Sequence, residues 1–240
     1  MPVSRRSFLA QFAAASAALP VHRAALRAAS PAFSGGARAA ALGRPLLLDL
    51  EDHCALRESV AGFARGLKAA GVAFEAAARG ADLRAPLVVV PAAIPHSHAS
   101  HAALRRAAES GSTVLYECGA AYASPAVFAA GQRLLERHFG LRLRVPLHLW
   151  AGAPAAGGRE CGAPYVQYRW PVRALVRDFS RILPVSVARQ CVIGSWGEAP
   201  VACRLQFGEG AIVFLGSPLG PHLLAGDPEA HAWLRALAGD

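Results

Sequence analysis

The chain is 240 residues long and 54% apolar, enough for one sizeable core and too apolar for a disordered or fibrous protein. Its formal charge of +9 is uneven: residues 1–41 hold five arginines and no acid, leaving 20 basic against 16 acidic residues, or +4, in the rest. The remaining arginines are scattered and Lys68 is the sole lysine, so the massed basic stripe of a nucleic-acid binder is missing and no such partner is expected.

At the start stands Ser4-Arg5-Arg6-Ser7-Phe8-Leu9, followed by an Ala-rich apolar run as far as Val21 and then His22, Arg23 and Arg27. The run is shorter than the roughly 20 apolar residues that span a bilayer. This segment resembles a twin-arginine export signal, Ser/Thr-Arg-Arg-x-Phe-Leu-Lys, with Ala10 in place of the closing lysine. The resemblance implies recognition of Arg5, Arg6, Phe8 and Leu9 by the twin-arginine export machinery, a periplasmic location, and no stable membrane span in the mature chain. Ala39-x-Ala41 offers a cleavage point. Residues 1–42 are therefore expected to be signal and linker, and residues 43–240 a single domain.

That domain opens with Leu46-Leu47-Leu48-Asp49-Leu50, a buried strand ending in Glu51-Asp52-His53-Cys54. Leu56, Val60, Phe63 and Leu67 recur at helical spacing, and Gly71 closes the helix. A weaker strand is expected over 72–78 and a strong one at Leu87-Val88-Val89-Val90, ended by Pro91 and the loop Ile94-Pro95-His96-Ser97-His98. A helix over 99–109 stops at Gly111. Thr113-Val114-Leu115-Tyr116 then forms a strand that ends in Glu117-Cys118-Gly119. Ser124 caps the next helix, Pro125 opens it, and Gly140 stops it. The order β-α-β-β-α-β-α predicts an α/β fold with an open doubly wound, flavodoxin-like and mostly parallel sheet.

Further on, residues 141–150 read as strand, 152–162 as a small-residue loop, and 172–183 as a helix carrying Leu175, Val176, Phe179 and Ile182. Glycine turns at Gly197-Glu198 and Gly208-Glu209-Gly210 separate apolar runs, the pattern of an antiparallel meander. If the first of these loops spans 195–199, Cys191 faces Cys203 and the two thiols come within reach of a disulfide. A two-residue turn shifts the register and separates them. Asp227-Pro228 caps the last helix.

Leu87-Val88-Val89-Val90-Pro91-Ala92-Ala93, Ser110-Gly111-Ser112-Thr113-Val114-Leu115 and Gly208-Glu209-Gly210-Ala211-Ile212-Val213-Phe214-Leu215-Gly216 together resemble a class I glutamine amidotransferase-like domain. The similarity is greatest to the non-catalytic trimerisation branch that accompanies bacterial β-galactosidases. The family's nucleophile elbow is Gly-x-Cys-x-Gly, whereas Tyr116-Glu117-Cys118-Gly119-Ala120 lacks both flanking glycines, and Pro221-His222 stands where a His-x-Glu is expected. The resemblance thus implies a domain that binds a small ligand or protein partner at the carboxyl edge of its sheet, without catalysis.

Two enzymatic readings stand beside it. A cysteine-dependent hydrolase or amidase would use Cys118 as nucleophile, His222 or His96 as base and Glu51 as orienter. A metal-dependent enzyme would use His96, His98 and His101, although His-x-His-x-x-His has no established metal spacing, so no metal ligands are assigned. The ligand-binding candidates are Asp52, His53, His96, His98 and Glu117, all on the rim where such sheets take ligands. The sequence leaves the cofactor unassigned. The ordinary roles of these residues are a buried structural cysteine, solvated loop histidines and a helix cap.

Overall fold

Each strand at the centre of this protein is apolar on both faces, so it demands cover on both. In the computed structural model the described residues are 43–50, 53–78, 80–95, 97–148, 165–177 and 181–239. Arg5, Arg6, Phe8, Leu9, Glu51, Asp52 and His96 lie outside them.

The elements in chain order begin with β1 (Leu46–Asp49), α1 (Arg57–Ala69), β2 (Glu75–Ala78), β3 (Leu87–Ala93), α2 (His98–Glu109), β4 (Thr113–Cys118) and α3 (Pro125–Phe139). There follow β5 (Arg142–Leu143), β6 (Leu147–His148), β7 (Tyr165–Tyr168), β8 (Ala174–Arg177), β9 (Arg181–Ile182) and β10 (Val185–Ser186). The chain closes with β11 (Val192–Trp196), β12 (Ala199–Phe207), β13 (Gly210–Leu215), α4 (Gly220–Ala225) and α5 (Pro228–Gly239).

Nine strands form one mixed sheet in the order β2-β1-β3-β4-β13-β12-β11-β7-β8. From β2 to β13 neighbours run parallel; from β13 to β8 they run antiparallel. The expected meander β11-β12-β13 is present, and β13 joins it to the parallel half by pairing with β4, Ala211 opposite Thr113. Two-stranded ribbons β5-β10 and β6-β9 stand apart from this sheet.

Alternation along the strands divides the core in two. Val88, Val90, Val114, Tyr116, Ile212 and Phe214 pack with Leu104 of α2 and Leu135 and Phe139 of α3. Val89, Leu115, Val213 and Leu215 pack on the other side with Phe63 and Leu67 of α1, Leu223 of α4 and Trp233 of α5. Helices on both faces explain why β3 and β13 are buried at every position.

The helix ends follow local chemistry. The Ser124 hydroxyl accepts from the Val127 N–H, Pro125 occupies the first turn, and Gly140 ends α3 at φ +69°. Asp227 Oδ1 accepts from Glu229 and Ala230 N–H at the start of α5.

Three expectations are corrected. The described residues of the stretch 172–183, those at 172–177 and 181–183, form no helix: Ala174–Arg177 is strand β8, alternately buried and exposed, and Arg181–Ile182 is strand β9. Apolar spacing there fits either period, and pairing of Tyr165–Tyr168 with β8 decides for the strand. The described part of the expected strand over 141–150, residues 141–148, contributes two short strands, β5 and β6, in place of one. In the hairpin Trp196 faces Ala199, so the turn is the two-residue one and Val192 faces Cys203. Cys191 therefore does not oppose Cys203, and both thiols are free.

Candidate functional site

Glu117 is the penultimate residue of β4, at the centre of the carboxyl edge, and its side chain is wholly buried. Oε2 accepts from the Ala92 N–H at 2.7 Å, and Oε1 accepts from Leu219 N–H at 2.5 Å and Gly220 N–H at 2.8 Å. Ser59 of α1 lies beside it and its hydroxyl favours the ionised form, though that oxygen makes no bond of ordinary geometry. Burial raises the pKa of the carboxyl, and the N–H groups oppose the rise. Three elements are thereby joined through one side chain: the end of β3, the start of α4 and β4 itself. A sequence-predicted ligand residue proves to be engaged within the fold.

The backbone around it is equally engaged. Ala92 has φ +38°, a conformation non-glycine residues seldom adopt, at the irregularity between Val90 and Ala93 of β3. Ala92 O accepts from Ala55 N–H, Ala93 O from Gly119 N–H, and His53 O from Ile94 N–H. Gly119 is required by this approach, since a Cβ there would lie 2.2 Å from Ala92 O. The N–H groups of Ala92, Ile94 and Gly119 at the β3 and β4 ends are thus already used, and none is left as an oxyanion donor of the kind acyl transfer needs.

Cys118 sits one residue on and points to the opposite face, into the α2/α3 core, with 1% exposure. Burial pushes its thiol up to about 12, the Ala120 N–H opposes the rise, and the Glu117 charge adds to it. A nucleophilic cysteine needs the reverse. His222 is carried by α4, on the α1/α4/α5 side of the sheet, so Cys118 and its proposed base belong to different layers.

The histidines also separate. His53 lies in a short turn after β1 and is half-buried. His98 opens α2, and its Nδ1 is 2.7 Å from Nε2 of His138 on α3. His101 is 2% exposed; its Nδ1 meets Ser97 O at 2.7 Å and its Nε2 the Tyr116 hydroxyl at 3.3 Å. Bonding to a carbonyl places the proton on Nδ1 and leaves Nε2 to accept from Tyr116. Among the described residues no group of three or more potential ligands is arranged for a metal ion.

What the rim offers is a cleft of about 250 Å³ at the carboxyl ends of β1, β2 and β3. Its walls come from Leu48 and Leu50, Leu83 after β2, Val90 and Ile94, and Leu104 of α2. Ser97, Ser100, His101 and Tyr116 supply its few polar groups. The cleft has a topological cause. Eight residues join Ala78 of β2 to Leu87 of β3 across β1, and residues 80–86 form no helix to cover this face. Sequence reading missed Tyr116, Ser97 and Ser100. The available signals were a hydroxyl in an otherwise apolar strand and a Ser at the cap of α2, whose Oγ accepts from Ser100 N–H.

No protein-family model and no curated protein sequence matches the chain. Solved structures do share its fold. The cold-adapted β-galactosidase from Rahnella sp. R3 aligns with a TM-score of 0.61 at 13% identity, over 82% of this chain and 31% of that one. The exo-β-1,4-mannosidase from Opitutaceae bacterium strain TAV5 aligns with a TM-score of 0.56 at 11% identity, over 80% and 35%. A cytoplasmic protein from Salmonella typhimurium LT2 aligns with a TM-score of 0.53 at 9% identity, over 82% and 96%. The chain spans about 30% of the length of the β-galactosidases it matches. At these identities the likeness concerns the fold.

Proposed function

We propose that the chain is an exported, non-catalytic α/β domain that binds a small ligand or a protein partner at the carboxyl edge of its sheet. On this reading residues 1–42 are the twin-arginine signal and linker, residues 43–240 are the working domain, and the periplasm is its location. The parallel half, ordered β2-β1-β3-β4-β13, is flavodoxin-like, and the domain is allied to the amidotransferase-like branch that accompanies β-galactosidases.

One observation carries the non-catalytic part. At the position of the nucleophile elbow, the thiol is buried with its proton held, and the N–H groups of Ala92, Ile94 and Gly119 beside it are engaged. The neighbours' names support the alliance with β-galactosidases at the level of fold. The Salmonella protein, matched over 96% of its length, supports a fold of this kind existing as a chain of its own. Among the described residues no helix is long and apolar enough to cross a membrane.

Two experiments test this reading. The native full chain is treated with an iodoacetamide-alkyne probe at pH 6; no labelling at Cys118 is expected, and rapid labelling there restores the cysteine hydrolase. Residues 1–45 are fused to a reporter with Arg5 and Arg6 both replaced by lysine; loss of export is expected, and undiminished export removes the periplasmic assignment. Metal analysis of the purified protein addresses the metal-dependent reading in the same preparation.

A further inference from the structure

We infer that the cleft between β1, β3 and α2 binds a small, neutral, largely apolar molecule with a single hydroxyl or carbonyl group, of the size of one substituted ring, and not a sugar or an organic anion. This rests on the ligand-binding reading above and names the ligand's chemistry.

Position is the first support. β1 leads through α1 to β2 on one side of the sheet order, while β3 and β4 lie on the other. The crevice at the carboxyl ends of β1 and β3 is therefore the point where the winding reverses, and it is open here because the β2-to-β3 connection is too short to hold a helix. Size is the second. A cavity of roughly 150 Å³ with aliphatic walls takes up benzene, so about 250 Å³ suits a ring with one short substituent.

Chemistry is the third support, and it excludes more than it admits. None of the described residues that line the cleft is an Asp, Glu, Lys or Arg, so among them an ionised ligand finds no counter-charge for the hydration it loses. Its polar groups are largely committed to one another. Ser97 Oγ accepts from Ser100 N–H, Ser97 O meets His101 Nδ1, and His101 Nε2 meets the Tyr116 hydroxyl. What remains serves one or two ligand atoms. A hexose brings a hydroxyl on nearly every carbon, and each one buried without a partner weakens binding by about tenfold. The fold neighbours described as glycosidases thus give no guide to this cleft.

The full chain, labelled with ¹⁵N, is titrated with benzyl alcohol, benzoate and galactose in turn, and the amide shifts of Leu50, Ser100 and Leu104 are followed. Benzyl alcohol is expected to saturate these shifts with a Kd on the order of 1 mM, and benzoate and galactose to bind at least about tenfold more weakly. Ala103→Phe, which sets a ring into the cleft from a half-exposed position of α2, is expected to weaken benzyl alcohol by about tenfold or more. Ala81→Phe, on the exposed opposite wall, serves as a second occluding variant if the first fails to fold. Galactose or benzoate binding the same amides as tightly as benzyl alcohol overturns the ligand class and leaves the ligand-binding domain standing. Benzyl alcohol binding that survives both variants, or the absence of shifts at these amides for all three compounds, overturns the cleft as a binding site and leaves only a protein partner for the proposed domain.

Discussion

The carboxylate of Glu117 accepts the backbone N–H of Leu219 at 2.5 Å, across 102 residues of chain. With Gly220 N–H on the same oxygen and Ala92 N–H on the other, this side chain holds β4, β3 and the start of α4 in one arrangement. The same contact accounts for the tolerance of φ +38° at Ala92, because the carboxylate and the Ala55 N–H grip that peptide from both ends.

Replacement of Glu117 should therefore destabilise the fold in a graded way. Glu117→Gln keeps the shape but turns an NH₂ toward one of three N–H donors, and urea unfolding should register a loss of about 1–3 kcal/mol. Glu117→Ala leaves all three donors buried and unpaired, and the loss should exceed about 3 kcal/mol. Burial holds the folded pKa above the unfolded value of 4.5, so the contribution of this carboxyl is greatest below that pH. It declines as pH rises through the folded value and is level above it. Urea midpoints of wild type minus Glu117→Gln, measured across this window, check the sign.

Helices α1 and α4 touch through glycines. A Cβ on Gly62 would lie 1.8 Å from the carbonyl oxygen of Gly220, backbone against side chain with nothing flexible to yield. Gly62→Ala should lower stability by about 3 kcal/mol or more, at the upper end of overpacking effects. Gly239→Ala, where a Cβ meets nothing within 4 Å, is the matched control and should be neutral. Equal thermal midpoints for the two variants would refute the contact.

The His98–His138 pair couples α2 to α3 and should give the protein an acid-sensitive joint. Burial lowers the pKa of His138 below its ordinary 6.5, assisted by His98, Arg137 and Arg105. A base whose folded pKa is depressed stabilises fully above its unfolded value and loses that contribution as pH falls through the folded one. Thermal midpoints should accordingly decline as pH falls below the ordinary 6.5 of a histidine and through the lowered folded value. Removing the partner by His98→Ala should cost about 0.5–1.5 kcal/mol at pH 7.5 and flatten that decline. An unchanged slope in the variant would show that other groups govern acid sensitivity.

Cysteine accessibility should follow burial. Among the four cysteines of the described residues, alkylation of the native protein at pH 8 should modify half-buried Cys191 before Cys54, because burial raises the Cys54 thiol and its Sγ–H is bound to Leu56 O at 3.0 Å. Cys118 and Cys203, both buried and both pushed up to about 12, should react only on unfolding. Mass mapping of unreduced protein should find no bridge between Cys191 and Cys203. Detection of that cross-linked peptide would contradict the observed hairpin register.

Much of the architecture was legible in the residues themselves. Apolar runs ended by Gly or Pro marked β3, β4 and β13, an apolar run ended by a polar cluster marked β1, and Ser124-Pro125, Gly140 and Asp227-Pro228 marked helix ends, because caps and turns depend on chemistry within a few residues. Period two even separates Glu117 from Cys118 onto opposite faces, which parts a predicted ligand residue from the predicted nucleophile. What only the tertiary structure decided depends on partners distant in the chain. Residues 174–177 became a strand because Tyr165–Tyr168 lies beside them. Glu117 became an anchor because Ala92, Leu219 and Gly220 bring their N–H groups to it. The cleft exists because a connection of eight residues crosses β1 without a helix. A carboxylate, a thiol or an imidazole has the same covalent chemistry on a rim or in a core, and its protonation and reach are set by the dielectric and the donors that folding places around it.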